Sequence, residues 1–200
     1  MKTKTLKEHK ASPVGELGTQ FATDIMLRNQ QKLLVTVENV SGFTMVTELP
    51  DQTADSIRDA LLAQVLPFTP EQGAVIRSDG ASSFQSLMQE SVQPSRVWAR
   101  HNVRLEIGEK FNPNKNSRAE NKISEISKEF LRHCPSSYKL STLQLTETTK
   151  TMNSRIRSNG LASREIPLSR ALMTNKIIDL QSRDYSKEKF DQRELRKRSG

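Results

Sequence analysis

Apolar and polar residues change their spacing repeatedly along this chain, and each change marks a change of element. From Gln20 to Leu49 three segments, Gln20 to Met26, Leu33 to Glu38 and Phe43 to Leu49, are rich in Val, Ile, Phe, Thr and Leu, which is strand chemistry. The connectors, Arg28 to Gln31 and Asn39 to Gly42, are short and polar or turn-forming. Short links join antiparallel neighbours, so a three-stranded meander is expected. After Pro50 the period lengthens: Ala54, Ile57, Leu61, Leu62 and Val65 recur at steps of three and four. That spacing predicts an amphipathic helix, capped by Asp51 or Thr53 and ended before Pro67.

Ala74-Val75-Ile76 is a short apolar strand that runs into Arg77-Ser78-Asp79-Gly80. A helical crossover before such a strand makes it parallel to the sheet. A helix over Ser82 to Glu90 and a last strand over Val103 to Ile107 follow. Two helices come next: Asn116 to His133, closed by Pro135, and Ser141 to Arg157, closed by Asn159-Gly160. The pattern specifies an α/β fold with a five-stranded mixed sheet, three antiparallel strands and then parallel ones, flanked by helices.

The ends differ in composition. Residues 1–18 carry Lys2, Lys4, Lys7 and Lys10 with Pro13, Gly15 and Gly18 and read as a flexible basic arm. Past Ala171 the periodicity fades, and Arg183 to Arg198 is densely charged. The expected division is an arm over 1–18, a core over 19–170, and a charged linker or tail over 171–200.

Charge narrows the partners. Lys and Arg number 31 against 23 Asp and Glu, a formal charge of +8, which favours a polyanion such as nucleic acid. The single cysteine, Cys134, excludes an internal disulfide framework. His9, His101 and His133 are scattered and do not make a zinc site; His133 next to Cys134 cannot close a tetrahedral shell. No apolar run approaches the roughly 18 residues of a membrane span. A soluble, intracellular protein is expected, and the cluster Arg196-Lys197-Arg198 suits a nuclear address.

Three acids then stand out by position: Asp24 within the first strand, Asp79 at the carboxyl end of the fourth, and Glu120 in the first turns of the long helix. Aspartate inside an apolar strand is disfavoured, so its charge needs compensation. Asp79 stands where ligands gather in open α/β sheets, and Gly80 lets the backbone turn away from it. On the helix, Ala119, Ile123, Ile126 and Phe130 form the apolar stripe, with Glu120 at its edge. An ionised carboxylate cluster requires cations, since each unit of pKa shift is about 1.4 kcal/mol, and oxygen-only ligands select Mg²⁺ or Mn²⁺ over zinc. Two such ions about 3.5–4 Å apart can hold a phosphodiester and activate an attacking oxygen. The same residues also fit plainer roles: a turn at Asp79-Gly80 and a solvated helix face at Glu120 beside Lys115.

Several stretches together resemble the integrase core of long-terminal-repeat retrotransposons and retroviruses. These are Ala22-Thr23-Asp24-Ile25, Leu34 to Phe43, Ile76 to Ala81, Asn112 to Asn121, Met152 to Arg155 and Gly160 to Glu165. The resemblance implies a ribonuclease-H-like fold and a metal-dependent polynucleotidyl transferase. Its reactions would be trimming of DNA ends by water and strand transfer into a target duplex. Asp24, Asp79 and Glu120 match the family's acids, with Asp24 bridging two Mg²⁺ or Mn²⁺ ions and each of the others holding one. Lys115, Asn116, Arg118 and Lys122 would lie along the DNA path, and the family's helices form homodimers or higher oligomers. A catalytically silent or domesticated DNA-binding module of the same fold is the alternative.

The sequence also departs from that family. Residues 80–119, between Asp79 and Glu120, outnumber those of the family pattern, which suggests a longer active-site loop around Gln93 to Arg100 and leaves Trp98 without a role. Glu38, where similar sequences often carry Asp, is read as structural and not as a fourth ligand. The family's His-His-Cys-Cys zinc domain is not visible before Thr19, which suits a fragment of a polyprotein or a copy retained by a host genome.

Overall fold

The computed structural model describes residues 16–93, 97–108, 116–135, 138–156, 162–168, 170–171, 174 and 176–177. Strand β1 (Gln20–Arg28) reverses directly into β2 (Gln31–Glu38). The turn is Asn29-Gln30, at φ 47° and 64°. Two successive positive φ values are what a two-residue hairpin needs to match the twist of its strands. β2 pairs antiparallel with β3 (Thr44–Leu49), which completes the expected meander.

Helix α1 (Ala54–Val65) begins at Thr53, whose hydroxyl accepts from Ser56 N–H and donates to Asp51, so of the two candidates Thr53 is the cap and Asp51 holds it in place. It leads to β4 (Ala74–Ser78), parallel to β1. From there α2 (Ser82–Ser91) and α3 (Val97–Arg100) lead to β5 (Val103–Ile107), parallel to β4. The strand order is β3-β2-β1-β4-β5. Helices α4 (Ser117–His133), α5 (Thr142–Asn153) and α6 (Glu165–Leu168) follow. The mixed five-stranded sheet is therefore as the hydrophobic pattern predicts.

Strand alternation splits the core in two. On one face Phe21, Leu34, Ile76 and Leu105 meet Ile57, Leu61 and Val65 of α1, with Phe84, Leu87 and Trp98 beside them. On the other, Met26, Leu33 and Val35 meet Ile126 and Phe130 of α4 and Leu145 and Met152 of α5. β2 sends Leu33, Leu34 and Val35 alternately to both cores, so it is buried on both sides and reads as a continuous apolar run.

Two expectations are corrected. The described part of the Gln93 to Arg100 stretch is not an extended active-site loop: Val97–Arg100 is a helical turn whose Trp98 is fully buried in the α1-side core. Helix α5 stops at Asn153, short of Arg157: the Ser154 N–H is shared between the Lys150 and Thr151 carbonyls, which tightens the last turn, and the Asn153 side chain pairs with the edge of β3. Its Nδ2 donates to Thr44 O at 2.7 Å and its Oδ1 accepts Thr44 N–H at 2.9 Å. The expected Asn159-Gly160 stop lies outside the described residues, as do positions 1–15 of the arm and 178–200 of the tail. Gly18 belongs to the packed unit: it sits at φ 78°, and a Cβ there would come within 1.9 Å of the Phe68 carbonyl oxygen. No helix among the described residues is long and apolar enough to cross a membrane.

Trp98→Ala removes the largest of the fully buried side chains and should lower the unfolding free energy by about 3–5 kcal/mol. Urea unfolding followed by far-ultraviolet circular dichroism measures this; a loss below about 1 kcal/mol would show that the tryptophan is not a core anchor.

Candidate active site

Asp24 shares with Met26 the face of β1 that α4 covers, while Thr23 turns the other way and bonds Val35 O and the Thr36 hydroxyl. Asp79 directly follows the last residue of β4. The parallel register pairs Ala22 with Arg77, so two residues further on Asp24 runs alongside Asp79. Glu120 stands exposed in the first turn of α4, which lies across β1 and β2. The three acids thus come from two neighbouring strands and the helix that crosses them.

Their fields overlap. Burial does most to push the Asp24 carboxyl up to about 6; the Ile25 N–H bond at 2.7 Å opposes this, and the negative charges of Asp79 and Glu120 add to the rise. Among the described residues, however, no three His, Cys, Asp or Glu side chains are gathered into a ready-made metal site. Each aspartate is turned onto nearby backbone, Asp24 onto Ile25 N–H and Asp79 onto Ala81 N–H at 3.3 Å. The acids are close enough to feel one another and not close enough to share one ion without side-chain movement. In chemistry they suit a hard divalent cation: the donors are all oxygen, and Asp24 is partly desolvated beside two other acids.

The polar residues expected along a DNA path are mostly engaged within the protein. Asn116 is buried, and its Nδ2 donates to Thr23 O at 2.9 Å. The Arg118 guanidinium donates to the Asn39 carbonyl. Lys122 pairs with Glu125 at 2.6 Å. Lys115 lies outside the described residues. Glu38 is buried and organises the β2–β3 turn, its carboxylate accepting from Gly18, Val40 and Ser41 N–H and from the Ser41 hydroxyl.

One constellation escaped sequence reasoning. Glu129, only 2% exposed, takes contacts from Arg132, His133 and Arg155, which tie the end of α4 to the residues after α5. Burial raises its carboxyl, but the bonds from Arg155 and His133 outweigh that and leave it below its ordinary value. The signal was present: Glu129 sits on the buried side of α4 next to Phe130, where an acid requires a partner.

No model of a protein family matches the sequence, and no curated protein matches it. Among solved structures, the catalytic core domain of BIV integrase aligns with a TM-score of 0.57. The match spans 76% of this chain and 94% of that one at 16% identity. The chain has the fold of an integrase catalytic core. At that identity the likeness rests on the path of the backbone, and in the integrase-core fold the order β3-β2-β1-β4-β5 and the flanking helices form the ribonuclease-H-like arrangement.

Because the folded-state value of Asp24 lies above the unfolded one, the folded protein binds more protons between about pH 3.8 and 6, and this group's contribution to stability is lost as pH rises through that window. Asp24→Asn should therefore melt progressively higher than wild type as pH rises from 4 to 7 without metal. Parallel melting curves across that range would refute the buried acid. Glu129 has the opposite sign: its contribution is present above the unfolded value and is lost as pH falls through the lowered one. Glu129→Gln should cost less than the roughly 3–5 kcal/mol of a fully buried pair, since Arg155 is 38% exposed and can turn to water. Acid unfolding of the two proteins side by side should show the difference closing as pH falls.

Proposed function

We propose that this chain is a divalent-metal-dependent polynucleotidyl transferase core that trims DNA ends and joins them to a target duplex. The observation that carries the reading is the placement of Asp24 and Asp79 on neighbouring strands, with Glu120 on the helix that crosses them, in an integrase-core fold. Asp24, Asp79 and Glu120 are the residues that would hold two Mg²⁺ or Mn²⁺ ions. Bound there, such ions supply charge neutralisation at the phosphodiester and lower the pKa of the attacking water or 3′-hydroxyl.

The protein's own part is positioning. Asp24 is fixed by the strand and must give up its proton to act as a ligand, which a bound cation would favour. Asp79 is half-buried just after the end of β4, and Glu120 is exposed on its helix; both side chains would have to turn toward Asp24 for the three acids to hold ions together. No nucleophilic side chain is required, because the attacking oxygen belongs to water or DNA.

Net charge of +8 supports a DNA partner, with Arg118 and Lys122 as cations in the first turns of α4. Exposed Leu143 on α5, and Ile156 and Leu168 after it, support a homodimer. A DNA-binding module without chemistry is the second reading, favoured by the carboxylates not being gathered. It predicts salt-dependent binding and no turnover.

Labelled duplex DNA incubated with Mn²⁺ should be nicked or joined by the wild type. Asp79→Asn should lose more than the roughly 10–100-fold that removing a supporting group near a metal costs. Equal metal-dependent activity in Asp24→Asn, Asp79→Asn and Glu120→Gln would reject the enzymatic reading, and binding without turnover in the wild type would select the second.

A further inference from the structure

Asn116 stands at the N-cap of α4, a position where asparagine ordinarily turns its side chain back to accept from the helix's own first amides. It makes no such bond here. Its Nδ2 instead donates to the Thr23 carbonyl, 93 residues away in sequence. The β1–β4 ladder ends at the Ala22–Arg77 pair, and Asn116 takes the strand carbonyl one residue further on, in the peptide that joins Thr23 to Asp24. On the helix side, the Asn116 carbonyl accepts Glu120 N–H at 3.2 Å. One residue thus bonds the peptide beside one acid and the backbone amide of another.

The arrangement comes at the expense of hydrogen bonding. Asn116 is 3% exposed, and its buried Oδ1 has no hydrogen-bond partner among the described residues, a destabilising feature that a plain cap of serine or aspartate would avoid. A second tether steadies the same turn: the Arg118 guanidinium on the Asn39 carbonyl, with Asn39 N–H in turn on Gln20 O at 2.9 Å.

We propose that Asn116 is a positioning residue, whose side-chain amide pins the first turn of α4 to the strand beside Asp24 and so sets how Glu120 faces Asp24. The role rests on the metal-site reading above, in which those two acids act together. It moves Asn116 from the nucleic-acid path to the frame of the site.

Asn116→Ser separates the pin from the cap, because serine still caps a helix but its side chain is too short to keep the bond to Thr23. Two measurements on the full chain decide the matter: amide hydrogen exchange in Ser117 to Asn121, and Mn²⁺ affinity by calorimetry without DNA. Expected are faster exchange in that turn, a largely retained melting temperature, and Mn²⁺ affinity about tenfold weaker, as for loss of a supporting group. Unchanged exchange would overturn the pin itself. Faster exchange with wild-type Mn²⁺ affinity would overturn the positioning role. Wild-type protein that binds no Mn²⁺ would reject the metal-site reading, and the positioning role with it, while the exchange result would still judge the pin.

Discussion

Ile126 and Phe130 of α4, buried against Leu33 and Val35, hold that helix across β1 and β2, and the rest of the site depends on this contact. Apolar burial is roughly proportional to area and has no preferred direction, so by itself it would let the helix slide or rotate on the sheet. Direction comes from polar bonds at the two ends: Asn116 and Arg118 at the first turn, and Glu129 with Arg155 and His133 at the last. The hydrophobic contact supplies the adhesion and the polar bonds set the register.

This division of labour also explains why an acid can survive inside β1. Asp24 is half-buried with two other acids near it, and its raised titration records the tension. A fold optimised only for stability would place an apolar residue there, as it does at Met26 on the same face. Stored electrostatic strain of this kind is what a bound cation relieves.

Much of the fold was legible in the sequence because strand and helix periods differ and the breaks between them are marked by Pro, Gly and Asn. The two aspartates were legible for a related reason: one interrupts an apolar strand and the other ends one. Features fixed by distant partners were not. The end of α5 depends on Asn153 meeting Thr44, and the burial of Trp98 depends on how α3 lies on β5. Asn116 looks like a surface residue until Thr23, far away in the chain, is brought against it. Polar residues at helix ends are therefore where reading from sequence is weakest, since solvent, ligand and framework all suit them equally until the tertiary contacts are known.

The sealed environment of Trp98 has a spectroscopic consequence. It is the chain's only tryptophan, and it sits in the core on the opposite side of the sheet from Asp24's face. Its fluorescence should be blue-shifted in the native protein and insensitive to events at the carboxylates, so the indole acts as a built-in reporter of whether the scaffold is intact, silent about what the acids are doing.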